Sequence, residues 1–304
     1  MALSRGQFPA LYVEGLRDIT LRRYKAYPIV WPKIFSEMTS KKYQETFLAM
    51  AGTGRLQEYF SGQSPDLDRL TQGWITTFVH RNYGKMISFE LDAVEDDLYG
   101  KLGTDVAGAW GDGARMKQEQ VTAAILGNGF TDRGPDGQPL FAAAHPLINP
   151  RNGYYSYNNL GNVAFSSTAL EAAIIAYNQQ ITEEGELIND DPKTIVFPTQ
   201  LKFEVARVLN STLTTVLSTS ANAKNDTNVL KNIVDPLEWP RLPSATAWFL
   251  LGDKTQHTLR FIRRRALKPR DWIDDRTENM IYACGERYSV GYTDARYTWG
   301  SSGP

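Results

Sequence analysis

Residues 41–90 alternate apolar and polar groups with a period of two, which predicts a long β-hairpin. One face of its second strand carries Trp74, Thr76, Phe78 and His80, and the other carries Ile75, Thr77, Val79 and Arg81. Residues 42–50 are expected to form the opposing strand. Both faces contain apolar groups, and an isolated two-stranded ribbon cannot bury two faces. We therefore expect the covering surface to belong to another chain.

A second pattern, with helical spacing of apolar residues, runs from residue 91 to residue 127 and predicts one long amphipathic helix. Glycines within it, including Gly111 and Gly113, each weaken a helix by about 1 kcal/mol relative to alanine. We therefore expect a kink or break between these two glycines. The outer face of the helix carries an acidic row that includes Asp96 and Asp97.

The flanking regions have weaker patterns. Residues 1–40 mix basic and aromatic groups, and Pro28 and Pro32 interrupt them, which predicts an extended arm with at most a short helix over 14–25. Residues 166–244 predict a mixed α/β region with helices ending near 180 and 210 and strands at 194–198 and 229–234. Residues 245–304 predict further strands. The expected fold class is α+β.

Composition limits the function classes. The chain has 304 residues, of which 42% are hydrophobic and 22% are charged, which is typical of a globular protein with about two domains. It contains no run of about 18 apolar residues, so we expect no membrane span and no membrane partner. The N-terminus lacks the apolar segment of a signal peptide. Cys284 is the only cysteine, which excludes an intramolecular disulfide and is typical of a reducing cytoplasm.

Charge is segregated along the chain. Residues 1–90, 91–192 and 193–304 have balances of +4, −10 and +5, although the whole chain has a net charge of −1. One interpretation is that Arg22, Arg23 and Lys25 of one copy lie on the acidic row, with Asp96 and Asp97, of another copy. Solvated surfaces explain the same charges, and the basic arm is also compatible with nucleic acid.

A basic cluster at residues 260–270 places six positive charges in eleven residues. Its centre is Arg263, Arg264 and Arg265. Three roles remain open: a belt of salt bridges between subunits, neutralisation of DNA phosphate, and protection of an exposed edge strand by charge.

Catalytic and metal-binding patterns are missing from the sequence. His80, His145 and His257 stand apart from one another, and no zinc, calcium or phosphate-binding motif occurs. We expect His145, which precedes Pro146, to end an apolar segment with a hydrogen-bonded imidazole. The expectation is therefore a protein that is not an enzyme and has no cofactor. A soluble α/β hydrolase is the enzyme alternative, but it requires a Ser, His and acid arrangement that the sequence does not supply.

Two stretches carry a resemblance to a known family. The first combines residues 118–127, where a helix ends on glycine, with the Asp-Gly-Gln-Pro-Leu-Phe run at 136–141 and the His-Pro pair at 145–146. The second is the ending from Gly285 to Arg296. With the order of elements, they resemble the major capsid proteins of tailed bacteriophages, which have the Hong Kong 97-type fold, and most nearly the Mu-like major head subunits.

The resemblance implies a domain plan and a location. It assigns residues 1–40 to an N-terminal arm, 41–90 to the E-loop hairpin, 91–165 to a peripheral domain with the spine helix, 166–244 to an axial domain and 245–304 to return strands of the peripheral domain. It also implies hexamers and pentamers that form the icosahedral head around double-stranded DNA, after assembly in the host cytoplasm. An encapsulin-type nanocompartment shell is the alternative with this fold.

The resemblance also implies partners and interface residues. About 90 residues precede the long helix, fewer than in relatives with a built-in scaffolding segment, so a separate scaffolding protein is expected. A portal and a decoration protein are further expected partners, and any contact with packaged DNA is expected to be non-specific. The hairpin tip, residues 52–73, contains no lysine, so we expect a noncovalent shell. The candidate interface residues at the tip are Arg55, Tyr59, Phe60 and Arg69.

Overall fold

A computed structural model describes residues 8–51, 56, 58–64, 67, 70–90, 100–148, 155–215, 225–277 and 279–304. The chain divides into two compact units. The first comprises Met1–Glu45, Phe78–Thr122 and Arg260–Val290, and the second comprises Thr46–Thr77, Ala123–Leu259 and Gly291–Pro304. Helices and strands are mixed in an α+β fold. Among the described residues, no helix combines the length and the apolar character that crossing a membrane requires.

The α-helices are α1 (Phe8–Ala26), α2 (Trp31–Ile34), α3 (Gly100–Gly127), α4 (Ser167–Asn178) and α5 (Lys202–Asn210), and a short 3₁₀ helix covers Thr199–Leu201. The strands are β1 (Ser36–Thr39), β2 (Gln44–Ala51), β3 (Thr71–Val79), β4 (Arg81–Phe89), β5 (His145–Pro146), β6 (Ser156–Tyr157), β7 (Leu160–Gly161), β8 (Thr194–Phe197), β9 (Leu213–Thr215), β10 (Asn225–Thr227), β11 (Asp235–Glu238), β12 (Trp248–Leu251), β13 (Arg260–Ile273), β14 (Met280–Gly291) and β15 (Thr298–Ser301).

The first unit is built on a four-stranded sheet in the order β1, β13, β14, β4. β14 runs antiparallel to β4, from Met280 opposite Phe89 to Tyr288 opposite Arg81. α1 and α3 cover one face of this sheet, and their apolar residues form a core with Phe89, Met280 and Tyr282. Strand β13 is longer than the predicted 258–264, and it lies inside the sheet, between β1 and β14.

Residues 8–26 form a regular helix, which corrects the expectation of an extended arm. Leu16, Thr20 and Tyr24 recur every four residues and are all buried, so they form one face of the helix. Thr20 Oγ1 donates to the carbonyl of Ala107 in α3 at 3.0 Å and lies 2.9 Å from the hydroxyl of Tyr282. The arm therefore has a partner surface within its own unit.

The long helix is continuous through Gly111 and Gly113, so the expected break is absent. The close approach of α1 explains the first glycine: a methyl group on Gly111 would overlap the carbonyl oxygen of Thr20 and would lie 2.8 Å from the backbone nitrogen of Tyr24. Gly113 has no neighbour of this kind. The predicted beginning of the helix, residues 91–99, lies outside the described residues.

The second unit contains a five-stranded sheet in the order β11, β8, β12, β15, β7. Its central strand β12 is antiparallel to both neighbours, β8 and β15. The core between this sheet and helices α4 and α5 includes Tyr177, Trp248 and Trp299. The predicted strand at 194–198 is confirmed, and so is the predicted helix that follows it. The assignment of residues 245–304 to the peripheral domain, which the resemblance implies, stays a prediction.

The predicted strand at 229–234 is wrong. Asn228 accepts a hydrogen bond from the backbone of Leu230 at 3.0 Å and donates to the carbonyl of Val208 at 2.6 Å. Asn232 adopts a φ of 56°, a left-handed conformation that interrupts a strand. The chain therefore turns here, and β11 begins only at Asp235.

Candidate functional site

The hairpin of β2 and β3 confirms the predicted alternation and separates two faces. Its outer hairpin face, which we define as Leu48, Met50, Ile75 and Val79, is 48%, 65%, 56% and 45% exposed. These side chains share one face because the hydroxyls of Thr46 and Thr77, which alternate in phase with them, lie 3.4 Å apart across the strands. The sequence predicted that both faces would be covered by another chain, and among the described residues only this face is largely uncovered.

The inner face of the hairpin packs on the same chain. Phe78 and Ala51 are buried. Ala49 and Trp74 line a small cleft together with Tyr157, Glu183 and Arg296. Gly73, at the end of the hairpin next to its tip, fits closely against Ile148, because a methyl group at Gly73 would overlap the Ile148 side chain. The end of the hairpin next to the tip is thus anchored within the second unit, while Leu48, Met50, Ile75 and Val79 stay exposed.

A buried ion network lies beneath this cleft. The guanidinium of Arg296 donates to Glu183 and Asp294, both at 2.7 Å, and to the carbonyl of Ile181 at 2.8 Å. Burial disfavours its charge, but the two carboxylates outweigh that effect and raise the pKa of Arg296 above its usual range. The other oxygen of Glu183 accepts from the backbone of Ile148 at 2.7 Å. The network therefore holds the segment that contacts the hairpin next to its tip.

His145 has the structural role that the sequence indicated. Its Nδ1 lies 2.6 Å from Asp136 Oδ2, its Nε2 lies 3.1 Å from Asn159 Oδ1, and its ring stacks on Tyr157. Asn159, which the sequence analysis missed, also donates to the carbonyl of Leu140 at 2.8 Å. Only the fold brings Asn159 to this turn, and an isolated asparagine gives no signal in the sequence.

The remaining reactive side chains are buried. His80 Nδ1 lies 2.9 Å from the hydroxyl of Ser289, and burial lowers the pKa of His80. Burial lowers the pKa of His257 to about 4 and raises the pKa of the Cys284 thiol, which weakens its reactivity. Within the part of the chain that the structure describes, no three His, Cys, Asp or Glu side chains are grouped to hold a metal ion.

The basic arm residues have different environments. Arg23 pairs with Asp112 of α3 at 2.6 Å, within the same chain. Arg22 pairs with Asp18 one helical turn away, and both are well exposed. Lys25 is exposed and forms no ion pair with a described residue. The expected partners Asp96 and Asp97 lie outside the described residues, so the pairing with another copy stays a prediction.

The basic cluster is only partly neutralised. Arg263 pairs with Glu37 at 2.6 Å and donates to the Tyr24 hydroxyl at 3.2 Å. Arg264 donates to the carbonyl of Lys42 at 3.1 Å. Arg265 is exposed, and no described carboxylate pairs with Arg264 or Arg265.

The tip of the hairpin carries the most exposed apolar side chains of the described chain. Leu56, Tyr59, Phe60, Leu67 and Leu70 are all more than half exposed. Arg55 and Arg69 lie outside the described residues. Large apolar side chains exposed on both the tip and the outer hairpin face are typical of a protein interface.

Comparisons with known proteins agree with this geometry. A family model described as phage capsid protein matches residues 76–298. The capsid of bacteriophage JBD30 is similar in structure, with 14% identity over 71% of this chain and 92% of that chain and a TM-score of 0.55. The capsid of Ralstonia phage GP4 has 11% identity over 88% of this chain and 86% of that chain, with a TM-score of 0.54. A virus-like particle from Pyrococcus furiosus has 9% identity over 95% and 99% of the two chains, with a TM-score of 0.50.

No curated protein matches the sequence. At identities this low the structural likenesses establish the fold, which is the Hong Kong 97 type, while the family match covers more than two thirds of the chain. The surface described above suits a protein that associates with itself. The chain belongs to the phage capsid protein family, and it is a structural subunit of the phage head.

Proposed function

We propose that this subunit assembles into hexamers and pentamers of a closed icosahedral head that encloses double-stranded DNA. We further propose that the outer hairpin face lies on a neighbouring copy. The observation that carries the proposal is the exposure of Leu48, Met50 and Ile75 on a strand pair whose other face is already covered. Full burial of one such side chain contributes about 1.5–3 kcal/mol, and every copy in a shell repeats the contact.

A second group of exposed apolar side chains lies in the region that the resemblance names the axial domain. Ile175, Leu187 and Phe203 are each more than half exposed. Exposed apolar side chains of this size favour association. We assign these side chains to contacts within a hexamer or pentamer.

The proposal includes partners outside the shell. A separate scaffolding protein, a portal and a decoration protein remain expected partners, and the basic residues Arg264 and Arg265 remain candidates for contact with DNA phosphate or with another subunit. The role is structural and involves no catalysis. The virus-like particle from Pyrococcus furiosus has the same fold, so an encapsulin-type shell is the second candidate. The phage capsid family match favours the head.

Substitution of one outer-face residue tests the proposal. Ile75→Lys places a charge on the outer hairpin face, and Ile75→Val keeps an apolar, β-branched side chain there. Each protein is expressed with the phage scaffolding protein and analysed by sedimentation velocity and electron microscopy. We expect Ile75→Val to form particles and Ile75→Lys to remain as small, folded species.

Thermal unfolding of both variants provides the control for folding. If Ile75→Lys folds normally and still forms particles in wild-type yield, the hairpin contact is wrong. If the wild-type protein forms no particles under any assembly condition, the shell itself is contradicted.

A further inference from the structure

Glu286, on the helix-covered face of β14, is a buried carboxyl with few hydrogen bonds. Glu286 is 2% exposed. Oε2 accepts one hydrogen bond, from Gln118 Nε2 of α3 at 2.6 Å. Oε1 is buried without a hydrogen-bond partner among the described residues. A buried carboxylate normally needs several donors or a direct ion pair, and the described residues supply Glu286 with neither.

Two guanidinium groups are close to Glu286, but their hydrogen bonds go to other acceptors. Arg115 donates to the carbonyl of Tyr24 at 2.9 Å and to Gln118 Oε1 at 3.0 Å. Arg263 donates to Glu37 at 2.6 Å and to the Tyr24 hydroxyl at 3.2 Å. Their positive charge reaches Glu286 only through space.

The same amide that binds Glu286 also holds helix α1. Gln118 Nε2 donates to the Tyr24 hydroxyl at 2.9 Å, and Tyr24 packs with Leu267 and Cys284 in the last turns of α1. The guanidinium of Arg115 covers the Tyr24 ring at 3.7 Å. Release of α1 would therefore remove Tyr24 from the cluster around the carboxyl and admit water to it.

We propose that Glu286 is a proton-dependent latch for helix α1. With the carboxyl neutral, α1 is held against α3 and the sheet, and when the carboxyl ionises, α1 is released more often, because release lets water solvate the charge.

The ionisation of Glu286 falls in an accessible range. Burial raises the pKa of Glu286 from 4.5 to about 7, although the hydrogen bond from Gln118 and the charges of Arg263 and Arg115 oppose the increase. The raised pKa means that the stabilisation of the docked state is complete at low pH and is lost as the pH rises through about 7. The other charged or titratable groups around it are Tyr24 of α1, Glu37 of β1, Tyr83 of β4, and Cys284 and Tyr288 of β14.

Hydrogen–deuterium exchange of the full-length, unassembled protein tests the latch. Protection factors, which correct for the pH dependence of intrinsic exchange, are measured from pH 6 to pH 8 for peptides from α1 and from α4, which belongs to the other unit. We expect the protection of α1 to fall by about tenfold over this range and the protection of α4 to stay constant.

Glu286→Gln has the shape of the neutral carboxyl, and Glu171→Gln on the exposed face of α4 is the matched control. We expect Glu286→Gln to keep high α1 protection at every pH and Glu171→Gln to behave like the wild type. If α1 in the wild type shows no loss of protection between pH 6 and pH 8, the latch is wrong. It is equally wrong if Glu286→Gln retains the wild-type pH dependence.

Discussion

Large apolar side chains of the central strand β12 and of the hairpin strands are buried to very different extents. Trp248, Phe249 and Leu250 of β12 are fully buried. Leu48 and Ile75 of the hairpin keep about half of their surface exposed. The two regions differ in what surrounds them: β12 has a strand on each edge, whereas in the described part of the chain β2 and β3 pair only with each other.

This difference separates two uses of apolar surface. Burial of β12 occurs when one chain folds, so its free energy stabilises the subunit. Burial of the outer hairpin face requires a second chain, so in our account its free energy stabilises the shell. A substitution in one region should therefore leave the property of the other region nearly unchanged.

The largest expected effect is on the folded subunit. Trp248→Ala removes a fully buried ring that contacts Phe165 and Trp299, so we expect the free energy of unfolding to fall by about 3–5 kcal/mol. Ile75→Ala should change it by less than about 1 kcal/mol. Denaturant unfolding of unassembled subunits measures both. Similar losses for the two variants would remove the distinction between core strand and hairpin.

The next largest effect on the free energy of unfolding is expected where α1 and α3 lie in close contact inside the first unit. Gly111→Ala forces a methyl group into the backbone of α1, and we expect a loss of about 1–3 kcal/mol. Gly113→Ala, two residues along the same helix, meets no atom within 4 Å and should stabilise the subunit by up to about 1 kcal/mol. Thermal unfolding compares the pair. Equal behaviour of the two variants would contradict the packing of α1 on α3.

The turn that holds His145 should respond at a similar scale. Asn159→Ala removes the hydrogen-bond partner of His145 Nε2 and a donor to the carbonyl of Leu140, so we expect a loss of about 1–3 kcal/mol in the free energy of unfolding. Asn158→Ala is the matched control, since Asn158 is exposed and accepts a hydrogen bond from the backbone of its near neighbour Leu160. If Asn158→Ala proves the more damaging, the assigned role of Asn159 is wrong.

The smallest effect concerns the arm. Arg23→Glu should lower the free energy of unfolding by about 0.2–1 kcal/mol, and adding Asp112→Lys should restore it, because the pair is exposed and lies within one chain. Added salt should reduce the difference. A double-mutant cycle on unassembled subunits measures the coupling. Coupling that appears only in assembled particles would instead favour the pairing between copies.

Helices and strands with a regular pattern of apolar residues were predictable from the sequence. The hairpin alternation, the strand at 194–197 and the helix ending at Gly127 all have patterns that burial of one face imposes. The length of α1 was underestimated, because a polar residue, Thr20, occupies the centre of the buried face of this helix. The kink at Gly111 was predicted from helix propensity, which does not include a neighbouring helix.

The contacts that fix the site were beyond the sequence. Gln118 and Glu286 are separated by 168 positions and meet only in the folded chain. The same holds for Arg296 and Glu183, whose ion pair is set by the path of the chain between them. The sequence also could not show which hairpin face is exposed. Alternation predicts two different faces, but it does not say which of them the rest of the chain covers.

Hydroxyl-radical footprinting of free subunits and assembled particles tests the central claim most directly. The rate of oxidation of Met50, on the outer hairpin face, reports its exposure, and buried Trp248 is the internal reference. We predict that Met50 is oxidised rapidly in free subunits and is strongly protected in particles, while Trp248 reacts slowly in both. Equal oxidation of Met50 in subunits and particles would contradict the account.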